Sequence, residues 1–317
     1  MATQGKPRWY KPDSGLAARM VLTMFLLGLI YVLFAGVLWW VGIPWPLLVI
    51  GALVIAGFQL FFSDKIALAS MKAQYVDEQQ APQLHDMIGR LAAQANLPKP
   101  KIAIVDTSIP NAFATGRDAN HAVIAITTGL TQGSGLTQPE IEAVIAHELT
   151  HILNHDMLVM TIATFFSMIA ALIVRSFMWS AMFGGMGGGY GRRDSNDGSG
   201  MIVLIAILAS VVTYVISFIL IRALSRYREL AADRGAALIT GAPEQLASAL
   251  QRISGAIEGG RIPAKDFRQA TAVNALFIVP ALKGDSLATL FSTHPSLEKR
   301  LAQLQEMQQQ MESARNL

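Results

Sequence analysis

The sequence predicts an α+β protein, mostly helical with a small sheet, that carries four transmembrane helices. Three observations lead there. The 317 residues are 52% hydrophobic and only 15% charged, with a mean hydropathy of +0.41, which is too apolar for an ordinary soluble domain. Four runs with almost no charge are long enough to cross a hydrocarbon core, which takes about 20 residues. Between and after those runs lie stretches with the periodicity of amphipathic helices and short strands. The chain has no cysteine, so disulfides, a thiol nucleophile and cysteine metal ligands are excluded. The net charge of +3 is small, and no Lys/Arg run is interleaved with aromatics. That argues against a nucleic-acid partner.

Residues 1–19 form a basic segment with Lys6, Arg8, Lys11 and Arg19 against Asp13. The first uncharged run, Met20 to Val41, is longer than the apolar region of a signal peptide and is followed by no clear cleavage site, so a retained anchor is expected. After a turn at Gly42-Ile43-Pro44 a second run continues to Ser63, making 20–63 a transmembrane hairpin. Trp39, Trp40 and Trp45 cluster at the turn, as an interfacial aromatic belt would. The basic residues precede the first span and none lies in the turn, so the positive-inside rule places the N-terminus in the cytoplasm. The chain then returns to that side.

Residues 64–156 read as the first part of a water-facing domain. A helix over Pro82–Gln94 buries Leu84, Ile88 and Leu91 and is stopped by Leu97-Pro98-Lys99-Pro100. Lys101–Val105 and Ala122–Thr127 have strand patterns, with Asn111-Ala112-Phe113-Ala114 a short extended segment between them. A helix then opens with a capping box, Thr137 and Glu140, with Pro139 in the first turn. Ile141, Val144, Ile145, Leu149, Ile152 and Leu153 follow at steps of three and four, one buried face.

On that helix lies His147-Glu148-Leu149-Thr150-His151, the pattern H-E-x-x-H. Residues four apart on a helix differ by about 400° of rotation and roughly 6 Å of rise, so both imidazoles project from one face and one ion can bridge them. Glu148 stands beside them, able to handle a proton.

Residues 157–221 form a second hairpin: Met157–Phe183, apolar except for hydroxyls and Arg175; a Gly-rich tip over Gly184–Gly200; and apolar Met201–Ile221. A buried hairpin of a soluble domain is the alternative reading. The tip lacks the spacing of a phosphate-binding loop and follows no strand. A hairpin returns the chain to the side of the H-E-x-x-H helix, where 222–317 begins and presents Glu229 and Asp233, four apart on one helix face. A catalytic zinc site takes three protein ligands, and Glu229 is the best candidate for the third. His155 competes, but it lies eight residues from His147, about 12 Å along a helix, and could join only across a break. Asn154 and Met157 stand where a metzincin needs glycine and histidine. Local sequence also admits a solvated face in which Glu229 and Asp233 pair with Arg228 or Arg234.

The two N-terminal spans, Asn111-Ala112-Phe113-Ala114, the H-E-L-x-H helix, the second hairpin, Glu229 to Asp233 and His294-Pro295 together resemble the HtpX-type integral-membrane zinc metalloproteases, relatives of the CAAX prenyl protease. The likeness covers most of the chain. It implies a zincin-like domain of the gluzincin type, with one zinc ion bound by His147, His151 and Glu229. Glu148 would be the general base and Asp233 would orient a ligand histidine. Asn111, Ala112, Phe113 and Ala114 would form an edge strand that pairs with an extended substrate backbone. His294 would stabilise the oxyanion, against the alternative of a helix-entry residue beside Pro295, and Arg300 matches the same motif without a clear role. His85 and His121 read as core or surface residues, and the Gln-rich tail from Leu301 to Leu317 as frayed.

The resemblance also implies polypeptide substrates, above all misfolded or damaged membrane proteins, and a multi-pass location in a bacterial inner membrane with both termini and the active site facing the cytoplasm. Three rivals stand beside it. A CAAX-type processing protease would have more spans around an enclosed chamber. A silent scaffold or transporter would not need His147, Glu148, His151 and Glu229 together. A site-2-type intramembrane protease would carry an Asp-Gly on a later span, which is missing.

Overall fold

The structure, a computed structural model, describes residues 13–42, 44–183, 199–258 and 294–315. The basic segment up to residue 12 and the Gly-rich tip at 184–198 lie outside them. Two long helices come first, α1 (Ser14–Trp40) and α2 (Trp45–Ser70). Asp13 caps α1 by accepting from the Leu16 N–H at 2.8 Å, which satisfies one of the orphan donors of a helix start.

Next comes a four-stranded sheet with helix α3 (Pro82–Gln94) beside it. Its strands are β1 (Gln74–Tyr75), β2 (Lys101–Val105), β3 (Ala112–Thr115) and β4 (Val123–Thr127), in spatial order β1-β2-β4-β3. β2 and β4 run parallel, in register from Lys101 opposite Val123 to Val105 opposite Thr127. β3 is antiparallel to β4, with Ala112 opposite Ile126, and forms one edge of the sheet. β4 is buried along its whole length, as expected of a Val/Ile strand covered on both faces. Sequence reading missed β1, which is only two residues long and exposed.

Helix α4 (Gln138–Leu153) begins at the capping box, where Glu140 Oε2 accepts from the Thr137 N–H at 2.7 Å. The chain bends by 58° between α4 and α5 (Asp156–Phe183). Helix α6 (Ser199–Thr240) carries the apolar run into the E-x-x-x-D segment without interruption, and α7 (Pro243–Glu258) and α8 (Leu297–Arg315) complete the described elements. Leu304, Met307 and Met311 of α8 are buried. The Gln-rich tail is therefore a packed helix through Arg315, not a frayed end, because its few apolar residues recur at three and four and share one face.

The molecule divides by what its helices expose. The main core joins α3, the sheet, α4 and α7, with Leu304 from α8. On α1, α2, α5 and α6 the pattern inverts: Phe25, Leu53, Phe58, Ile162, Leu208 and Val215 are exposed. Contiguous large apolar groups facing outward along helices of this length suit a lipid surrounding. Between these helices sit polar contacts, Tyr31 hydroxyl to the Ala163 carbonyl and Gln59 Nε2 to Thr164 Oγ1 at 2.7 Å. Three described helices, α1, α2 and α6, are individually long and apolar enough to span a membrane, and α5 makes up to a fourth when taken with the bent pair. On α6 the exposed apolar series ends at Ile219, three residues before Arg222. Trp39 and Trp40 are exposed at the end of α1, where an interfacial belt is expected.

Candidate metal centre

The site is built where α4 crosses α6. Gly235 permits the close approach: a Cβ there would lie 2.2 Å from Thr150 Cγ2. Six and two residues before Gly235, α6 presents Glu229 and Asp233 to the imidazoles of α4.

His147 and His151 face each other with Nε2 atoms 3.3 Å apart. Behind each ring lies a carboxylate: His151 Nδ1 is hydrogen-bonded to Asp156 Oδ2 at 2.6 Å, and His147 Nδ1 stands 3.0 Å from Asp233 Oδ1 as a charge contact without hydrogen-bond alignment. An ionised carboxylate only accepts, so Nδ1 of His151 donates to Asp156 and its Nε2 is left to face the shared space. With His147 Nε2 at that distance, a proton or a metal ion between the two nitrogens relieves their repulsion. Glu229 completes the cup, with Oε2 3.6 Å from His147 Nε2 and Oε1 3.5 Å from His151 Nε2. Donors about 2.0–2.1 Å from a tetrahedral zinc stand about 3.3–3.4 Å apart, so the three spacings fit such an ion.

Electrostatics agree with that reading. Burial acts most strongly on His147 and opposes its charged form, yet Asp233 and Glu229 outweigh it and raise its pKa from the ordinary 6.5 to about 9. The spot favours positive charge, supplied by a proton or a metal.

Glu148 is a second carboxylate in reach, its ligand atom within 4.8 Å of both imidazoles. It differs from Glu229 in what it touches. Its Oε2 accepts from the Ala114 N–H of β3 at 2.8 Å. Burial raises its pKa, with His151 and His147 opposing, as suits a group that takes up a proton. His147, Glu148, His151 and Glu229 could therefore hold an ion and a base side by side.

Of the other expected residues, His294 is buried, its Nδ1 3.2 Å from Glu229 Oε2. Arg300, only 2% exposed, pairs with Asp233 through two bonds, Nε to Oδ2 at 2.8 Å and Nη2 to Oδ1 at 2.6 Å. The solvated-face alternative does not hold: Asp233 is wholly buried and pairs with neither Arg228 nor Arg234. Ala112, Phe113 and Ala114 lie in β3, one position later than expected. Asn111 precedes the strand, anchored to Thr127 by N–H to Oγ1 at 2.8 Å and by its carbonyl to the Thr127 N–H at 3.0 Å. His155 is exposed at the bend with φ of 53° and does not reach Glu229. His85 is buried against the Val76 carbonyl, and exposed His121 pairs with Asp118.

The class that this geometry defines, a membrane chain with a helix-borne H-E-x-x-H, is the metallopeptidase. Residues 78–308 match Peptidase family M48, and the chain belongs to that family. Its similarity to individual proteins extends further. It is 52% identical to a protease HtpX homolog of Moorella thermoacetica, covering 96% of this chain and 98% of that one. It is 53% identical to protease HtpX homolog 2 of Methanosarcina acetivorans, covering 96% and 99%. Among solved structures, the crystal structure of S. mikatae Ste24p has a TM-score of 0.53 at 19% identity, covering 92% of this chain and 66% of that one. The chain thus spans about two thirds of that neighbour, and the likeness is one of fold. Family and helices together make this a membrane metalloprotease.

Proposed function

We propose that the chain is a zinc-dependent endopeptidase that cleaves misfolded or damaged membrane proteins from the cytoplasmic face of a bacterial inner membrane. The observation that carries the reading is the pair of Nε2 atoms 3.3 Å apart, with a carboxylate beside Nδ1 of each ring and Glu229 beside both Nε2 atoms. His147, His151 and Glu229 would hold one zinc ion, which would supply Lewis acidity towards a carbonyl oxygen and lower the pKa of a water. Glu148, aimed by the Ala114 N–H, takes the proton from the attacking water and passes it to the leaving amine.

Asp233 holds His147 by Nδ1. His294, with Nδ1 beside Glu229, donates through its other ring nitrogen to the developing oxyanion. The Ala114 N–H points away from β4, and by alternation so do the backbone groups of Ala112. Along Asn111 to Ala114 this outer edge takes an extended substrate as an added strand through Ala112 and the Ala114 carbonyl, since Asn111 is bonded to Thr127 and the Ala114 N–H to Glu148. Backbone pairing tolerates many side chains, which suits a quality-control protease. The excess of Lys6, Arg8, Lys11 and Arg19 before the first span supports a cytoplasmic N-terminus, and the outward apolar faces of α1, α2, α5 and α6 support contact with lipid.

The test is cleavage of an unfolded protein by the detergent-solubilised chain, with and without added zinc, beside Glu148→Gln at equal metal content. Zinc-dependent cleavage by the wild type and loss of at least about a hundredfold in the variant are expected, the scale of a general base. Equal rates for two zinc-loaded proteins would contradict the mechanism.

A further inference from the structure

Asp156 was not among the residues expected from sequence, yet it makes the shortest contact of either imidazole, 2.6 Å from Oδ2 to His151 Nδ1. Its other oxygen faces Arg228 Nε at 3.0 Å. Asp156 is 1% exposed and Arg228 9%, so this pair is sealed from water and is not a surface ion pair. Arg228 directly precedes Glu229, so one turn of α6 supplies both the clamp on Asp156 and a facing carboxylate.

The backbone explains how Asp156 reaches the ring. On an unbroken helix, residues five apart differ by about 500°, placing them roughly 140° apart around the axis. Asp156 would then point away from His151. Instead α4 ends at Leu153, Asn154 caps it, and His155 takes φ of 53°, a left-handed conformation that histidine tolerates better than most residues. The 58° bend then swings the first residue of α5 back over the His151 ring.

We propose that Asp156, braced by Arg228, is a positioning residue that fixes the orientation and the Nδ1–H tautomer of His151. It thereby ties the donor geometry of the site to the contact between the start of α5 and α6. The proposal rests on the reading of His151 as a metal ligand. Its work is geometric: a neutral imidazole binds a metal through only one nitrogen, and a partner on the other nitrogen selects which. Asp233 stands 3.0 Å from Nδ1 of His147 as a charge contact.

The experiment is a double-mutant cycle read as zinc affinity, by chelator competition on the full-length chain in detergent. The proteins are wild type, Asp156→Asn, His151→Ala and the double variant. Asp156→Asn keeps the size of the side chain and an acceptor oxygen, and Asp156→Glu, which keeps the charge, serves as a rescue. Asp156→Asn is expected to weaken zinc binding by about tenfold to a hundredfold, with partial recovery in Asp156→Glu. In the His151→Ala background the same change should cost little further affinity, because the ring through which Asp156 acts is gone.

A loss of equal size in both backgrounds would overturn the inference, since Asp156 would then act on the fold and not on His151. Wild-type affinity in Asp156→Asn, with His151→Ala impaired, would overturn it too while leaving the metal reading intact. If His151→Ala bound zinc as tightly as wild type, the reading of His151 as a ligand would fail and the inference with it.

Discussion

The two imidazoles of the site are held by the same kind of chain, carboxylate then guanidinium, but the two chains are assembled differently. His147 is held by Asp233 and Arg300, which come from α6 and α8 and lie far along the sequence. His151 is held by Asp156, five residues away across a bend, and by Arg228 of α6. In the first chain Arg300 and Asp233 are 2% and 0% exposed. The second joins the first residue of α5 to α6, beyond the end of the exposed apolar series on α6. One ligand is thus positioned by the packing of α6 against α8, and the other by that of α6 against the start of α5.

That difference is open to direct attack by removing each guanidinium. Arg300→Met leaves Asp233 buried with its main partner gone and should destabilise the fold by about 3–5 kcal/mol, the cost of breaking a buried pair. Arg228→Met removes one contact at a slightly less sealed position and should cost roughly 1.5–3 kcal/mol. Thermal or denaturant unfolding in detergent measures both. Equal effects would erase the distinction between the two chains.

Metal uptake sharpens the comparison through pH. Because Asp233 and Glu229 raise His147 to about 9 against the pull of burial, the ring binds a proton below that pH and a metal must displace it. Zinc affinity, followed by chelator competition, should therefore rise as pH increases from about 7 towards 9 and flatten above. In Asp233→Asn the rise should shift to lower pH, since a main source of the raised value is removed.

A surface pair supplies the smallest effect. Arg90 and Glu142 are joined by a 2.7 Å contact between α3 and α4, but the arginine is half exposed. Arg90→Met should change stability by about 0–1 kcal/mol and leave zinc affinity untouched. A loss approaching that of Arg228→Met would mean that burial is not what separates these interactions.

The features legible in the sequence are those carried by local spacing. The capping box at Thr137, the four-residue interval of His147 and His151, and that of Glu229 and Asp233 are written in periodicity. The helical geometry follows from it. What stayed hidden depended on contacts between distant segments or on one backbone angle. Arg300 had no readable role because its partner lies 67 residues away on another helix. Asp156 was hidden by the left-handed turn at His155, which no glycine announces. The tail after Leu301 looked frayed because glutamine dominates its composition, although Leu304, Met307 and Met311 already marked a buried stripe.

The proposed activity turns on a single cation held between His147 and His151 with Glu229 as the third donor. X-ray absorption on the zinc-loaded chain tests it most directly. The expected result is one zinc per chain with two imidazole nitrogens at about 2.0–2.1 Å and oxygen donors beside them, one imidazole being lost in His151→Ala. A shell of oxygens alone, or one unchanged by His151→Ala, would contradict it.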